Sequence, residues 1–138
     1  MQSSQIKSIS CLFDTDIVID FLRRRDYARK LFEHWAGNGL IAISTLTHLE
    51  IYQGIKSGEE EATGVFLDGL ISIAVDVSIA RMAGKILGKL RSKGKTISIG
   101  DAVIAATALY IDAPLLTNNT AHYIYPGLKV VRGLDFIK

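Results

Sequence analysis

Ile9-Ser-Cys-Leu-Phe13, followed directly by Asp14-Thr-Asp16-Ile-Val-Ile-Asp20, is the stretch of sequence that decides the fold. The residues from Ile9 to Phe13 suit a buried strand, and the acidic residues after them open a segment whose apolar residues have helical spacing. A strand therefore ends, and a helix begins, at Asp14. Ligands of open parallel sheets bind at the carboxyl ends of the strands, so this acid lies where we expect chemistry.

Four further short apolar runs predict strands that are buried on both faces, because none alternates strictly with polar residues, at 40–43, 70–75, 115–116 and 128–131. Helical periodicity lies between them, over 16–24, 27–36, 44–56, 59–69, 78–93 and 98–109. Ser44, Ser78 and Ser98 can cap three of these helices, and Gly37-Asn-Gly39 stops the second. Strands alternating with helices predict a three-layer α/β/α sandwich with a mostly parallel sheet of about five strands.

The composition fits one folded domain over residues 1–138, with 49% hydrophobic residues and two prolines. No apolar run reaches the roughly 20 residues that a membrane span needs, and the first eight residues lack the apolar core of a signal peptide. We therefore expect a cytoplasmic protein with no membrane partner. Cys11 is the only cysteine, which excludes an internal disulfide and predicts a small core residue.

Positive charge is unevenly distributed, although the formal net charge is only +2. Basic residues form two clusters: Arg23, Arg24, Arg25, Arg29 and Lys30 in the first, and Arg81, Lys85, Lys89, Arg91, Lys93 and Lys95 in the second. Three residues of the second cluster repeat every four positions and share one helix face. Such clusters are solvated faces or, where an anionic partner exists, the surfaces that contact it.

The acids after the first strand have two interpretations. Asp14 can cap the first helix, since aspartate is a preferred N-cap, but Asp-x-Asp after a strand also suits a divalent metal. Asp16 and Asp20 are like charges four residues apart on one helix face. A metal would relieve the repulsion at Asp16, whereas Arg23 or Arg24 can neutralise Asp20.

Two further acids are placed to reach the same edge of the sheet. Glu50 lies six residues into its helix, and helical side chains lean toward the amino terminus, so it can reach back to the carboxyl ends of the strands. The alternative is a solvated helix glutamate. Ser98-x-x-Asp101 approximates a capping box, but the following helix is almost uniformly apolar, so Asp101 needs a charge partner that a shared metal can supply.

Hydroxyl and amide side chains follow the fourth predicted strand, in Thr117-Asn-Asn119-Thr-Ala-His-Tyr123. These residues suit a polar turn, or an edge that binds phosphate or metal-bound water. Thr45 and Thr47 can line the same edge. His48 is expected to be an ordinary polar residue, because no second histidine or cysteine stands at ligand spacing.

Four segments, in this order, closely resemble the four motifs of the PIN domain family: Leu12-Phe-Asp-Thr-Asp-Ile-Val-Ile-Asp20, Thr47-His-Leu-Glu-Ile-Tyr-Gln-Gly54, Gly100-Asp-Ala-Val-Ile-Ala-Ala-Thr-Ala-Leu109 and Leu115-Leu-Thr-Asn-Asn-Thr-Ala-His-Tyr123. The spacing and the small size are most similar to the VapC toxins of type II toxin–antitoxin pairs. The resemblance extends over nearly the whole chain, from about residue 10 to the last residue.

The resemblance implies a metal-dependent ribonuclease, with Mg²⁺ or Mn²⁺ held by Asp14, Glu50 and Asp101. At the family's fourth acidic position this chain has Asn119, and Asp16 can add charge back. Thr117 matches a hydroxyl that lies close to the metal site in family members. The implied mechanism is hydrolysis of an RNA phosphodiester by a metal-activated water, which Glu50 or Asp16 orients or deprotonates.

The resemblance also implies two protein partners: a cognate antitoxin, whose tail lies across the toxin and can place an arginine in the acid pocket, and a second copy in a homodimer. Some large apolar residues exceed what two short helices need, although packing between those helices is their other use: Phe21, Leu22, Phe32, Trp35 and Tyr52.

Other functions remain open from the residues alone. Asp-x-Asp after a first strand also opens haloacid dehalogenase-type phosphatases, and clustered acids occur in receiver domains, but both need a lysine at the end of a late strand and give Glu50 no role. Lys129, the one lysine near such a strand, falls inside the last apolar run. A non-catalytic interaction module is the remaining alternative, with Asn119 as its support.

Overall fold

The computed structural model describes residues 8–136 of the chain. Five strands and six α-helices follow one another as β1 (Ile9–Phe13), α1 (Thr15–Leu22), α2 (Asp26–Asn38), β2 (Leu40–Ser44), α3 (Thr45–Gln53), α4 (Glu60–Asp68), β3 (Ile71–Ile73), α5 (Val77–Ser92), α6 (Ile99–Ile111), β4 (Leu115–Thr117) and β5 (Val130–Arg132). Short 3₁₀ helices lie at Thr120–Tyr123 and Gly133–Phe136. The prediction about the first eight residues concerns a segment of which residues 1–7 fall outside the described part of the chain.

The strands form one parallel sheet in the order β3-β2-β1-β4-β5. One apolar core lies on each face: α1 and α2 pack on the first, with Phe13, Ile17 and Leu31 fully buried, and α5 and α6 cover the second. The predicted α/β/α sandwich is therefore confirmed. Because β1 is the central strand, the residue that follows it lies in the middle of the carboxyl edge.

The sheet departs from the sequence prediction at its two outer strands. The run at 70–75 yields only a three-residue strand at one edge of the sheet, where Ile71 and Ser72 are exposed, and Arg132 is exposed on β5 at the other edge. Edge strands of parallel sheets are covered less completely than central ones, so an apolar run does not guarantee burial on both faces.

Helix ends also differ in places from the prediction. The cap of α5 is Asp76, whose side chain accepts a hydrogen bond from the Ile79 amide at 2.9 Å, and not Ser78. Helix α2 continues through Gly37 and ends at Asn38, with Gly39 as its C-cap, while α3 ends at Gln53, before the predicted Lys56. Both Ser44 and Ser98 cap helices as expected, by accepting from the amides of Leu46 and Asp101 respectively.

Candidate active site

Asp14 lies at the junction of β1 and α1 and serves two purposes at once. Its Oδ1 accepts a hydrogen bond from the Thr15 amide at 2.7 Å, which makes it the N-cap of α1. Its Oδ2 accepts from the Thr117 hydroxyl at 2.8 Å and the Tyr123 hydroxyl at 3.0 Å. With 6% of its surface exposed, it is a buried carboxylate held by three donors from three parts of the chain.

Asp101 is joined to Asp14 through one shared hydroxyl. Its backbone amide donates to Ser98 Oγ at 3.0 Å, which forms one half of a capping box. Its carboxylate does not return to Ser98: Oδ1 lies 3.1 Å from the Tyr123 hydroxyl, and Oδ2 lies 2.9 Å from His122 Nδ1. Tyr123 therefore bridges the two aspartates, although its single proton can be donated to only one of them at a time.

Glu50 reaches the same edge from α3. Its Oε1 accepts a hydrogen bond from the Thr15 hydroxyl at 2.6 Å, and the Thr47 hydroxyl lies 3.0 Å from that of Thr15. Its Oε2 lies beside Gly100, where an added Cβ would stand 3.4 Å from it. The Glu50 carboxylate thus lies between Thr15, which follows Asp14, and Gly100, which precedes Asp101. This position agrees with the direction of helical side chains, which point toward the amino terminus of their helix.

Asp16 lies beside the cluster, and Asp20 points to a different partner. The amide of Asn118 donates to Asp16 Oδ2 at 2.9 Å, and the amide of Ile17 donates to Oδ1 at 2.8 Å. Asp20 accepts a hydrogen bond from the Tyr27 hydroxyl. Neither Arg23 nor Arg24, the alternative partners that the sequence offered for Asp20, forms an ion pair with it in the described range.

The polar edge after β4 divides into buried and exposed members. Thr117 is fully buried, and its hydroxyl accepts from the Asn119 amide at 3.0 Å while it donates to Asp14. The Asn119 residue is exposed, and within residues 8–136 its side chain makes no hydrogen bond to the acids. Thr45 Oγ1 accepts from the Val75 amide, and so it lies away from the carboxylates.

The electrostatics of the site are dominated by the mutual repulsion and the burial of its acids. Burial raises the pKa of Asp14, with a smaller contribution from the charge of Asp101, and the donors from Thr117, Thr15 and Tyr123 partly oppose the rise. Burial, followed by the charge of Asp14, raises the pKa of Asp16 to about 6. No lysine or arginine forms an ion pair with these acids in the described part of the chain, so a bound cation would relieve their repulsion.

The donor set suits a hard divalent ion. Carboxylate oxygens from Asp14, Asp101 and Glu50, with Asp16 nearby, are the ligands that Mg²⁺ and Mn²⁺ prefer. Within residues 8–136, however, no three His, Cys, Asp or Glu side chains stand close enough together to enclose an ion. The residues fit such an ion in chemistry: the Tyr123 hydroxyl joins the carboxylates of Asp14 and Asp101, and the Thr15 hydroxyl holds that of Glu50.

An open cleft of about 910 Å³ is lined by residues of α1, α3 and α4, and Glu50 is the acid of the site that lines it. Apolar side chains, including Phe21 and Leu22, line it together with four cations and a second acid: Arg23, Arg24, Arg29, Lys56 and Glu59. Phe21 stacks on Phe66 with ring centroids 4.4 Å apart and lies 4.9 Å from the Phe32 ring. Phe21 and Phe32, two of the large apolar residues singled out in the sequence, therefore pack within the protein.

Two properties of the described residues bear on other classes of protein. Lys129 precedes β5, so no lysine in residues 8–136 lies at the carboxyl end of a strand, where the phosphatase and receiver-domain alternatives require one. Within the same range, no helix is long and apolar enough to span a membrane.

A parallel α/β sandwich with four acids gathered at the carboxyl edge of its sheet defines a class of small domains with an acidic site at that edge. A family model described as "PIN domain" matches residues 11–128, and the chain belongs to that family. The chain is 36% identical over 120 residues to Ribonuclease VapC19 of Mycobacterium tuberculosis, covering 86% of this chain and 96% of that protein. It is 30% identical over 113 residues to Ribonuclease VapC1 of Methanocaldococcus jannaschii, with 81% and 77% covered.

Solved structures agree with this assignment. The chain is similar to one in the crystal structure of VapBC2 from Rickettsia felis bound to a DNA fragment from its promoter, with a TM-score of 0.80, 27% identity, and 90% of this chain and 98% of that one covered. A toxin–antitoxin complex from Klebsiella pneumoniae gives a TM-score of 0.77 at 31% identity, with the same shares covered. The resemblance to VapC toxins that the sequence motifs indicated is therefore confirmed.

The structure adds members that sequence reasoning did not assign to the site. Tyr123 and His122 were visible only as part of a polar segment, and Thr15 was not singled out. No local pattern identifies them, because Tyr123 contacts a residue 109 positions away and Thr15 contacts one 35 positions away. Their roles follow only from the way the chain folds.

Proposed function

We propose that this protein is an endoribonuclease of the VapC type, which acts as the toxin of a toxin–antitoxin pair and hydrolyses RNA phosphodiester bonds with the help of a divalent cation. The observation that carries the proposal is the pair of aspartates, Asp14 and Asp101, that share the Tyr123 hydroxyl at the centre of the sheet edge. Relatives named as ribonucleases, at 36% and 30% identity, support the same activity.

Asp14, Asp101 and Glu50 would hold the ion, which we take to be Mg²⁺ or Mn²⁺. When bound, such an ion lowers the pKa of a coordinated water and neutralises charge that develops on the phosphate. The protein's own groups then orient the reactants. Thr117 and Tyr123 fix the Asp14 carboxylate, and Thr15 fixes that of Glu50.

The attacking water needs a base that the ion does not fully occupy. Glu50 and Asp16 are the two candidates, because Asp16 is close to Asp14 in the sequence and Glu50 is close to it in space. Glu50 accepts a hydrogen bond from the protein through one carboxylate oxygen, and Asp16 accepts through both. The carboxylate takes the proton from the water as the water oxygen forms its bond to phosphorus. The bond between phosphorus and the leaving ribose oxygen breaks on the opposite side, and that oxygen takes up a proton from solvent. The exposed Asn119 supplies no carboxylate, so the site relies on these four acids.

RNA reaches an acidic site only if cations around it offset the repulsion. Arg81, Lys85 and Lys89 are all exposed on α5, and Arg23 and Arg24 are exposed at the end of the cleft. We assign these basic residues to contacts with the RNA backbone or with acidic groups of a protein partner. The contribution of these basic residues to binding should weaken as the salt concentration rises.

A cognate antitoxin is the second partner we propose. The cleft that Glu50 lines offers apolar surface from Phe21, Leu22 and Ile51, and its arginines and Lys56 can pair with acidic side chains. A tail of the antitoxin lying in this cleft would bring an arginine to the acids at the Glu50 end. We also propose that the chain works as a homodimer, as one domain over residues 1–138, in the cytoplasm.

Metal-dependent cleavage of a mixed RNA pool tests this function. The purified protein should produce new RNA ends with Mg²⁺ or Mn²⁺ and none with a chelator. Asp14→Asn and Asp101→Asn should each abolish cleavage while the circular dichroism spectrum is retained, and Asp68→Asn, on exposed α4 surface, is the matched control. Retained metal-dependent cleavage in both site variants would overturn the assignment.

Coexpression distinguishes the toxin role from nuclease activity alone. Expression of the chain should arrest growth and generate new cellular RNA ends, and coexpression of the adjacent small open reading frame should restore growth. Growth arrest that Asp14→Asn does not relieve would count against an RNA-cleaving toxin.

A further inference from the structure

A second, smaller cavity, which shares no lining residue with the cleft, lies beside His122, the histidine that contacts Asp101. It measures about 340 Å³ and is formed by Leu90 at the end of α5, the 95–97 segment and the residues Ala121, His122 and Ile124. Nothing in the assigned chemistry uses it. We propose that it is a nucleobase subsite, which takes the base of the nucleotide next to the scissile phosphate. This inference rests on the proposed RNA cleavage.

The lining has the chemistry of a base-binding slot. Leu90 and Ile97 supply a buried and a half-buried apolar surface, and Ile124 stands at its wall with 67% of its surface exposed. An apolar side chain this exposed beside a polar site gains free energy when a flat ring covers it. Lys95 is exposed on the rim, where its ammonium group suits the phosphate attached to a bound base.

His122 connects the cavity to the acids. Its Nδ1 lies 2.9 Å from Asp101 Oδ2, while its side chain is 54% exposed and lines the cavity. The carboxylate therefore fixes the orientation of an exposed ring, which makes the imidazole a preorganised surface for stacking. Because Asp101 is one of the proposed ion ligands, a base on His122 belongs to a nucleotide directly adjacent to the bond that is cut.

Binding of mononucleotides tests the subsite without relying on catalysis. In metal-free buffer, at least one of the four nucleoside 5′-monophosphates should shift the methyl NMR signals of Ile97 and Ile124 in a saturable way. Ile124→Ser should weaken that binding by about five- to tenfold, since stacking surface is lost, and Lys95→Gln by about threefold. Val65→Ser, at a site 70% exposed on α4, and Lys129→Gln are the matched controls and should bind as the wild type does.

Three results would overturn the subsite: no nucleotide shifts these methyl signals, inorganic phosphate alone reproduces the shifts, or Ile124→Ser binds as tightly as Val65→Ser. The phosphate result would indicate a simple anion contact at Lys95. None of them bears on whether the protein cuts RNA, so failure of the subsite is distinguishable from failure of the proposed function.

Cleavage of a randomised RNA pool gives the functional counterpart. Wild-type protein should show a base preference at one nucleotide flanking the cut, and Ile124→Ser should relax that preference severalfold while Val65→Ser leaves it unchanged. Cleavage with no base preference, or a preference that Ile124→Ser leaves intact, would contradict the inference. Absence of any cleavage by the wild type would instead contradict the proposed function, and the mononucleotide titration would then decide the subsite alone.

Discussion

Replacing Tyr123 with phenylalanine removes one hydroxyl from the centre of the site and leaves the ring that packs against the α5 and α6 core. Tyr123 is 3% exposed, and its hydroxyl lies 3.0 Å from Asp14 Oδ2 and 3.1 Å from Asp101 Oδ1. It is the one group that touches both aspartates in the described residues. We therefore expect the hydroxyl to set the spacing and rotation of these two carboxylates.

The magnitude follows from the kind of bond that is lost. A hydrogen bond to a charged acceptor contributes about 1.5–3 kcal/mol, and removal of groups that orient metal ligands typically lowers metal affinity about 10- to 100-fold. Tyr123→Phe should thus weaken Mn²⁺ binding by at least about tenfold, a loss of about 1.4 kcal/mol. It should also lower the cleavage rate at subsaturating metal more than at saturating metal.

Isothermal titration calorimetry with Mn²⁺ measures this effect apart from catalysis. Tyr110→Phe is the matched control, because Tyr110 is 50% exposed on α6 and makes no contact with the acids. Equal Mn²⁺ affinities for Tyr123→Phe and the wild type would refute the positioning role. A loss of affinity in Tyr110→Phe of the same size would show that the effect is not specific to the bridge.

Further predictions concern stability and pH. Folding raises the pKa of Asp16 from its ordinary value of 3.8 to about 6. The free energy of unfolding of the metal-free protein should therefore fall as the pH rises from about 4 to about 7. Asp16→Asn should abolish about 2 kcal/mol of that fall, measured by urea unfolding at pH 4 and pH 7. A wild-type stability that rises between those pH values while the variant's stays flat would contradict the sign. Asp112 ends α6 in a left-handed conformation with φ of 53°, so Asp112→Gly should raise the free energy of unfolding by about 0.5–1 kcal/mol without changing RNA cleavage. Leu31 lies in α2 and is fully buried, and Leu31→Ala should cost about 2–5 kcal/mol, measured in the same unfolding assay, whereas exposed Leu49→Ala should cost far less.

Local sequence signals predicted the parts of the fold that local forces determine. The run from Ile9 to Phe13 became the central strand because it is apolar and because an N-cap acid ends it. Ser98 was recognised as a cap since its hydroxyl and the Asp101 amide are only three residues apart. Asp76 and Ser78 are both good caps two residues apart, and nothing local chooses between them.

The sequence could predict only those residues of the candidate site whose positions follow from the order and direction of the strands. Asp14, Glu50 and Asp101 follow or approach carboxyl strand ends, and parallel pairing brings such ends to one edge. The Tyr123 bridge and the Tyr27 bond to Asp20 join residues on different elements, and their geometry depends on packing between those elements. For the same reason the sequence offered Arg23 or Arg24 as partners of Asp20 and did not reveal Tyr27, whose hydroxyl donates to it.

The central claim is that Asp14 and Asp101 jointly hold the catalytic ion, and anomalous scattering from a Mn²⁺-soaked crystal tests it most directly. The account predicts an anomalous peak within about 2.0–2.4 Å of carboxylate oxygens from both aspartates. The Glu50 carboxylate should be turned toward the ion, and the Tyr123 hydroxyl should be hydrogen-bonded to only one of the two aspartates. A crystal of protein that cleaves RNA with Mn²⁺ but shows its peak away from both aspartates would contradict the account.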